Sequence, residues 1–459
     1  MPVMTTLTKN LAPKPGIRLL TVPRRGPKMP TIDVYLYGQL AAKLERLGHS
    51  SYRLKYTPDW LSHSQAVPLS TQLPLRPQPY TGDPLLRVLS GFLPDREEVL
   101  ARWAGEARLA DTEPFGLLEH YGEDVAGAAV FVPEDKDPLA EREATTIDDS
   151  TVANRIRGIR EDPRAWIEKH REHRFSLAGM QGKFALALRN GQWLEPSGAE
   201  PSTHILKPGI EQYPDSEILE HVVMRTAAGL GLPVAQTSIL RFEDQRILCV
   251  ERFDRTEVDG TVFRIHQEDF AQATGTPPAR KYEEDGGPSP ADIARVLRRE
   301  AEPALVGNSL ATYGASLVFS WLLAHNDGHS KNYSLRLYPR QIELTPLYDL
   351  NSYLPYADAG GRIRGRDLSY AHEVELSFSI RGASRIGDLT GAHWNALEEI
   401  LSLPRGTLVE YGTAAAESLM PAVNAAIDSL EPEFQTEVVD QFRQAAFLRR
   451  SSALEALSA

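Results

Sequence analysis

The stretch that decides the fold reads Trp321-Leu322-Leu323-Ala324-His325-Asn326-Asp327-Gly328-His329-Ser330-Lys331-Asn332-Tyr333. Its apolar first part is typical of a buried helix, and the turn-forming residues from Asn326 to Gly328 predict where that helix ends. The loop that follows presents Asp327 and, five positions later (327 to 332), Asn332. Another aspartate, Asp349, comes after an intervening segment that resembles a strand. The sequence thus predicts a loop of oxygen-bearing side chains beside a buried helix.

The spacing of these side chains favours phosphoryl transfer. Protein kinases separate the catalytic aspartate and the magnesium-binding asparagine of their catalytic loop in the same way. One side chain must accept a hydroxyl proton while the other holds a metal ion on the far side of a phosphate. Asp349 lies where a second metal ligand is expected. A zinc site of the metalloprotease type is the alternative, because His325 and His329 lie four positions apart.

The zinc alternative requires both histidines on one continuous helix, with a glutamate next to the first. The segment Asn326-Asp327-Gly328 interrupts such a helix, and position 326 is not a glutamate. We therefore expect no zinc here and expect His329 to support the loop by hydrogen bonds.

Composition and charge limit the classes of function. The chain has 459 residues with 42% hydrophobic and 24% charged residues, which is typical of a globular protein of two or three domains. Its net charge of -12, from 50 basic and 62 acidic residues, argues against direct DNA binding. No apolar run approaches a membrane span of about 18 residues, and the N-terminus lacks a signal-peptide core. The single cysteine, Cys249, lies in a predicted buried strand, so we expect a cytoplasmic protein.

The pattern along the chain predicts an α+β protein with four parts. Residues 1–30 are predicted to form a flexible tail, and 31–132 a small module of short strands with a helix over 96–109. Residues 133–254 are predicted to form a mostly β small lobe, which opens with an acidic and partly mobile segment. Residues 255–459 are predicted to form a mostly helical large lobe. This order is that of a bilobal protein-kinase-like fold.

A lysine and a glutamate in the small lobe fit a nucleotide site. Lys207 ends the predicted strand His204-Ile205-Leu206-Lys207, where most lysines are ordinary surface residues. The next predicted helix, residues 216–229, carries Glu217 and Glu220. Kinases pair a strand lysine with a helix glutamate to hold nucleotide phosphates. We therefore interpret Lys207 as a phosphate-binding residue.

Two further segments are less specific. The first, Ser176-Leu177-Ala178-Gly179-Met180-Gln181-Gly182-Lys183, has glycines that let backbone N–H groups approach phosphate oxygens, although any turn favours glycine. The second, Val250-Glu251-Arg252-Phe253-Asp254-Arg255, joins the last small-lobe strand to the helical half. In a bilobal kinase that junction is the hinge, where backbone groups bind adenine. An ordinary charged strand end is the alternative.

A set of ordered motifs carries a family resemblance. Those of the N-terminal module are Tyr35-Leu36-Tyr37-Gly38, Leu69-Ser70-Thr71-Gln72-Leu73-Pro74-Leu75, Gly91-Phe92-Leu93-Pro94 and Gly122-Glu123-Asp124-Val125-Ala126-Gly127-Ala128. Those of the second half are the segments above together with Gln267-Glu268-Asp269-Phe270, Lys281-Tyr282-Glu283 and Gly286-Gly287-Pro288. From Asp33 onward the chain resembles the HipA-type serine/threonine kinase toxins of bacterial type II toxin–antitoxin systems.

The resemblance implies roles for the matching positions. Asp327 would be the catalytic base, and Asn332 and Asp349 the Mg²⁺ ligands. The residues that bind ATP would be Lys207 with its partner Glu220, Glu251 and Phe253 through main-chain groups, Ser176, Ala178 and Gly179 in the phosphate loop, and His329 and Lys331 in the catalytic loop. Ser176 would also be autophosphorylated. The segment Met180-Gln181-Gly182 departs in detail from the usual phosphate loop.

The resemblance also implies a function. The substrate would be an aminoacyl-tRNA synthetase, above all glutamyl-tRNA synthetase, whose phosphorylation arrests translation and growth. The partner would be a small helix-turn-helix antitoxin that binds operator DNA and represses the operon together with the toxin. Two alternatives stay open: a catalytically idle co-repressor subunit, which the intact set of candidate residues disfavours, and a small-molecule kinase, which the N-terminal module disfavours.

Overall fold

The computed structural model describes residues 29–134, 136–138, 143–163, 175–176, 179, 181–339, 341–356 and 369–459. The predicted tail lies outside the described residues except for positions 29 and 30. None of the helices in the described ranges has the length and apolar character that a bilayer span requires.

The N-terminal module is a five-stranded antiparallel sheet covered by short helices. Its elements are β1 (Thr31–Leu36), β2 (Gln39–Gly48), β3 (Ser51–Tyr56), α1 (Pro58–Ser62), β4 (Tyr80–Thr81), α2 (Asp83–Gly91), α3 (Glu97–Glu106), α4 (Pro114–Tyr121), β5 (Asp124–Val125) and β6 (Val130–Pro133). The strand order is β4-β3-β2-β1-β6. The period-two pattern in β3 buries Tyr52, Leu54 and Tyr56 on one face.

The small lobe is a six-stranded antiparallel sheet of order β12-β13-β11-β9-β10-β7. Its elements are β7 (Glu143–Thr146), α5 (Asp149–Glu161), β8 (Phe175–Ser176), β9 (Phe184–Arg189), β10 (Gln192–Ser197), β11 (His204–Lys207), α6 (Ser216–Gly229), β12 (Thr237–Phe242) and β13 (Gln245–Glu251). Cys249 is buried in β13, as predicted. The short strand β8 instead pairs in parallel with β5 of the N-terminal module.

The large lobe is mostly helical. Its elements are β14 (Arg255–Val258), β15 (Thr261–Arg264), β16 (Gln267–Asp269), α7 (Phe270–Thr274), α8 (Pro290–Glu300), α9 (Val306–Leu323), β17 (Ser334–Tyr338), β18 (Gln341–Leu344), β19 (Glu375–Ile380), β20 (Ala383–Arg385), α10 (Gly391–Leu401), α11 (Thr407–Asp428) and α12 (Glu437–Ser458). Short 3-10 turns lie at Pro278–Arg280, Ser330–Asn332, Ser369–Glu373, Ile386–Asp388 and Pro432–Phe434. Helix α8 starts where the sequence favours it, with Pro290 in its first turn and a capping box between Ser289 and Asp292.

Two hydrophobic cores organise the chain. The first surrounds α9 in the large lobe, and Trp321, Leu322 and Leu323 at the end of that helix have no solvent exposure. The second is shared by the N-terminal module and the small lobe, because Phe184 and Leu206 of the lobe belong to the same cluster as the module's residues. The module is therefore packed against the small lobe.

The structure adds detail to three expectations from the sequence. The acidic segment that was predicted to be partly mobile contains, among its described residues, β7 and the 13-residue helix α5, which Asp148 caps through its side chain. The helix predicted over 96–109 spans only Glu97–Glu106, and three more helices cover the N-terminal module. The large lobe also carries seven strands among its described residues, β14 to β20.

Candidate active site

Lys207 and Glu220 form a buried ion pair at the centre of the small lobe. The Lys207 Nζ donates to the two carboxylate oxygens of Glu220 at 2.7 and 2.9 Å. It also donates to Asp349 Oδ1 at 2.5 Å. Glu217, the other glutamate considered, pairs instead with Arg246 at 2.6 Å. The structure thus selects Glu220 as the helix partner.

The opposite charges in this cluster stabilise each other through direct contacts. Burial opposes the positive charge of Lys207, but the carboxylates of Asp349 and Glu220 outweigh burial and raise the pKa of the lysine. Burial also opposes ionisation of Asp349, and the adjacent Lys207 and Lys183 still hold the pKa of Asp349 well below its usual range. Burial raises the pKa of Glu220 to about 7, and Lys207 counteracts this rise. Lys207 is therefore charged at neutral pH.

Asp327 lies on the loop that follows the central helix. Helix α9 ends because Ala324 adopts a left-handed conformation (φ 52°), which turns the chain out of the helix. The Asn332 side-chain nitrogen and the His329 backbone N–H both donate to the Asp327 carbonyl, at 2.7 and 2.9 Å. The Asp327 carboxylate accepts a 2.5 Å hydrogen bond from the Tyr282 hydroxyl, and the side chain remains 47% exposed. The loop is fixed while its carboxylate faces the cavity.

Asn332 and Asp349 offer oxygen atoms that suit Mg²⁺. The Asn332 side-chain nitrogen is bonded to the Asp327 carbonyl, so its amide oxygen is the atom that can ligate. Asp349 has a positive φ of 60° and is 38% exposed on its side chain. Carbonyl and carboxylate oxygens are the ligands that Mg²⁺ prefers, and Mg²⁺ also binds substrate phosphates. The donor set therefore fits this ion.

The two histidines have structural contacts. His325 is buried and bonds through Nδ1 to Asn351 Oδ1 at 2.9 Å. His329 packs edge-to-face on the Tyr282 ring, and burial lowers its pKa to about 4. Across the ranges that the structure describes, no group of three or more His, Cys, Asp or Glu side chains is arranged to hold a metal ion. The backbone N–H of His329 donates to the Asp327 carbonyl within the loop.

The phosphate loop is described in part. Ala178 lies outside the described residues. Gly179 lines the cavity with a φ of +116°, a conformation that favours glycine. Ser176 does not line the cavity: it is fully buried, and its hydroxyl donates to the Phe92 carbonyl at 2.6 Å. At the end of the loop, Lys183 is buried beside Lys207, and burial lowers its pKa to about 8.

The predicted hinge places two residues at the cavity wall. The Glu251 backbone N–H donates to the Gln236 carbonyl at 2.9 Å, and the Phe253 carbonyl accepts from Arg336 at 3.0 Å. The Phe253 ring packs against that of Tyr348, with centroids 5.4 Å apart. This contact links the hinge to the residue before Asp349.

One cavity of about 570 Å³ gathers most of the predicted residues. Its lining includes Gly179, Lys207, Glu220, Glu251, Phe253, Asp327, His329, Lys331, Asn332 and Asp349. It also includes Lys183 and Lys281, to which the sequence analysis gave no role. The sequence held a signal for each: Lys183 ends the glycine-rich loop, and Lys281 opens one of the motifs that carry the family resemblance.

A bilobal fold with these side chains in one cleft defines a protein of the protein-kinase-like class. The family model for the HipA N-terminal domain matches residues 32–132, and that for the HipA-like C-terminal domain matches residues 175–429. The chain therefore belongs to the HipA family of kinase toxins, and the fold and family predicted from the sequence are confirmed.

Individual proteins agree with this assignment. The chain is 33% identical to a putative kinase, Y4mE, of Sinorhizobium fredii, over 73% of this chain and 80% of that protein. It is 31% identical to the serine/threonine-protein kinase toxin HipA of Shewanella oneidensis, over 83% of this chain and 86% of the relative. A solved complex of Shewanella oneidensis HipA, HipB and operator DNA contains a chain that matches with a TM-score of 0.77 and 27% identity, covering 92% of this chain and 97% of that chain.

Proposed function

We propose that this chain is an ATP- and Mg²⁺-dependent serine/threonine protein kinase toxin. The observation that carries the proposal is the buried cluster of Lys207, Glu220 and Asp349 in the same cavity as Asp327 and Asn332. Burying charges such as these costs free energy unless each charge keeps its opposite partner. A catalytically idle co-repressor subunit would have no need for such a buried cluster. The intact cluster therefore favours an active enzyme.

Each of these residues would have a separate role in the reaction. The Glu251 carbonyl and the Phe253 N–H would bind the adenine edge, and Lys207, held by Glu220, would bind nucleotide phosphates. Asp327 would orient the substrate hydroxyl and accept its proton, in the place where it now accepts the Tyr282 hydroxyl. Asn332 and Asp349 would hold Mg²⁺, which when bound neutralises charge on the transferring phosphate. His329 and Lys331 would keep the catalytic loop in position.

Ser176 is the proposed site of autophosphorylation. Because its hydroxyl is buried against Phe92, the loop must leave its present position before the hydroxyl can reach a base. A loop that has left its own site can enter that of another copy, so we expect the rate to rise with enzyme concentration.

The proposed substrate is an aminoacyl-tRNA synthetase, with glutamyl-tRNA synthetase first. The proposed partner is a small helix-turn-helix antitoxin through which the chain would reach operator DNA. The support for both is membership in the HipA family, and for the partner also the solved complex of a similar chain with HipB and operator DNA. A net charge of -12 is consistent with DNA contact made mainly by the antitoxin.

A phosphopeptide search tests this proposal. The purified chain is incubated with ATP, Mg²⁺ and a bacterial lysate, and a parallel sample uses Lys207→Met, which removes the phosphate-binding amine. We expect phosphoserine or phosphothreonine in glutamyl-tRNA synthetase only with the wild-type chain, together with lower glutamylation of tRNA. Phosphopeptides from another protein would correct the substrate, whereas identical profiles for both samples would contradict the kinase activity.

A further inference from the structure

A segment of the N-terminal module reaches the catalytic loop through Asp95. The Asp95 carboxylate is 5% exposed and contacts two lysines of the large lobe. Its Oδ1 lies 3.1 Å from Lys331 Nζ, and its Oδ2 accepts a hydrogen bond from Lys281 Nζ at 3.1 Å. Although burial opposes ionisation, the two lysines lower the pKa of Asp95. The carboxylate is therefore a buried negative charge held between two cations.

Both lysines belong to segments that fix the catalytic base. Lys331 precedes Asn332, whose side chain donates to the Asp327 carbonyl, and it also contacts Asp269 at 3.3 Å. Lys281 precedes Tyr282, whose hydroxyl donates to the Asp327 carboxylate at 2.5 Å. Asp95 thus connects the two segments that hold Asp327, one through its carbonyl and the other through its carboxylate.

The two segments also contact each other. The backbone N–H and the hydroxyl of Ser330 both donate to the Lys281 carbonyl, at 3.2 and 2.9 Å. Asp95 adds a charged link to this contact: without it the Lys281 amine would lose this carboxylate partner, while Lys331 would keep its contact with Asp269. Two neighbouring ammonium groups would then repel each other in a buried site.

The same segment of the N-terminal module also contacts the phosphate loop. The Phe92 carbonyl accepts the Ser176 hydroxyl at 2.6 Å, and the Asp95 backbone N–H donates to the Gly179 carbonyl at 3.4 Å. Residues 92–95 therefore touch both loops that enclose the nucleotide cavity. This position goes beyond what attachment of the module requires, since the shared hydrophobic core already joins it to the small lobe.

We propose that Asp95 is a positioning residue for phosphoryl transfer, so that the kinase site is incomplete without the N-terminal module. The inference rests on the proposed kinase activity. Asp95 does not line the cavity, so it acts on the reaction through Lys331 and Lys281. Its removal shifts the catalytic loop and impairs the chemical step, whereas ATP binding through Lys207 and the hinge is retained.

Asp95→Asn is the test variant, because it removes the charge while conserving shape and the backbone contact with Gly179. A displacement of about 1 Å in a catalytic group can cost on the order of 100-fold in rate, so we expect kcat to fall roughly 10- to 100-fold. We expect the KM for ATP to change less than about threefold, since uniform binding is kept. The matched control is Asp111→Asn, which breaks the 3.0 Å ion pair with Arg46 in the same module.

The outcomes separate this inference from the proposed function. Wild-type enzyme without activity would contradict the proposed function, whereas an active wild type with unchanged kcat in Asp95→Asn would overturn the positioning role alone. Parallel losses of kcat, ATP affinity and melting temperature would also overturn it, because they indicate simple unfolding of the module. A double-mutant cycle with Lys331→Met gives a second measurement: we expect the kcat losses to be non-additive, and additive losses would contradict the direct link.

Discussion

The substitution Asp327→Asn separates catalysis from stability in this structure. The main-chain contacts that hold the loop, from Asn332 and His329 to the Asp327 carbonyl, do not involve the substituted carboxylate. The amide keeps an oxygen that can accept from Tyr282, so only the charge assistance of that hydrogen bond is lost, about 1 kcal/mol. A positioned base contributes roughly 10²- to 10⁴-fold, or about 3 to 5 kcal/mol of barrier.

We therefore expect Asp327→Asn to lose at least about 100-fold in kcat with a melting temperature lowered by only a few degrees. The assay measures the initial rate of phosphate transfer from ATP to Ser176 and to a protein substrate, with thermal unfolding measured in the same buffer. Asp285→Asn is the matched control, because it removes an exposed carboxylate near Tyr282 that does not line the cavity. A rate for Asp327→Asn within threefold of the wild type would refute the assignment of the base.

Three further results are expected. Asp349→Ala should make ATP binding weaker and nearly independent of Mg²⁺, measured by calorimetry with and without EDTA, and an unchanged Mg²⁺ dependence would remove Asp349 as a ligand. Phosphorylation of Ser176 should weaken ATP binding, because the buried position cannot hold an added charge of about -1.5 to -2; equal affinities of the two forms would contradict this. Burial lowers the pKa of Lys183 to about 8. ATP affinity should therefore fall as the pH rises above about 8, because Lys183 then loses its proton. The Lys183→Arg variant should abolish this pH dependence.

Local patterns predicted the elements that carry their own signals. The strand that ends at Lys207 and the helix Ser216–Gly229 have the predicted bounds, because alternating and helical periodicities are visible in a few residues. Helix Asp149–Glu161 was missed because only Val152, Ile156 and Ile159 are apolar enough to mark its buried face, within a mostly polar segment. Acidic composition was thus an incomplete guide to secondary structure.

The part of the candidate site that lies within one loop could be predicted from the spacing of its residues. The spacing of Asp327 and Asn332 can be read within one loop, and the structure places both at one cavity. The choice between Glu217 and Glu220 required the orientation of a helix on a sheet, which the sequence does not specify. Asp95 could not be found from the sequence, because it lies 186 positions from Lys281 and contacts it only through tertiary packing.

The core shared by the N-terminal module and the small lobe determines when the module can complete its packing during translation. The module leaves the ribosome first, yet its core includes Phe184, Leu206 and Ile247, which are translated later. A ribosome adds about 5 to 20 residues per second, so the nascent module waits on the order of ten seconds for these side chains. Asp349, at position 349 of 459, emerges later still. A growing chain therefore lacks the charged cluster until most of it has been translated, and a chain that terminates before residue 349 never acquires it.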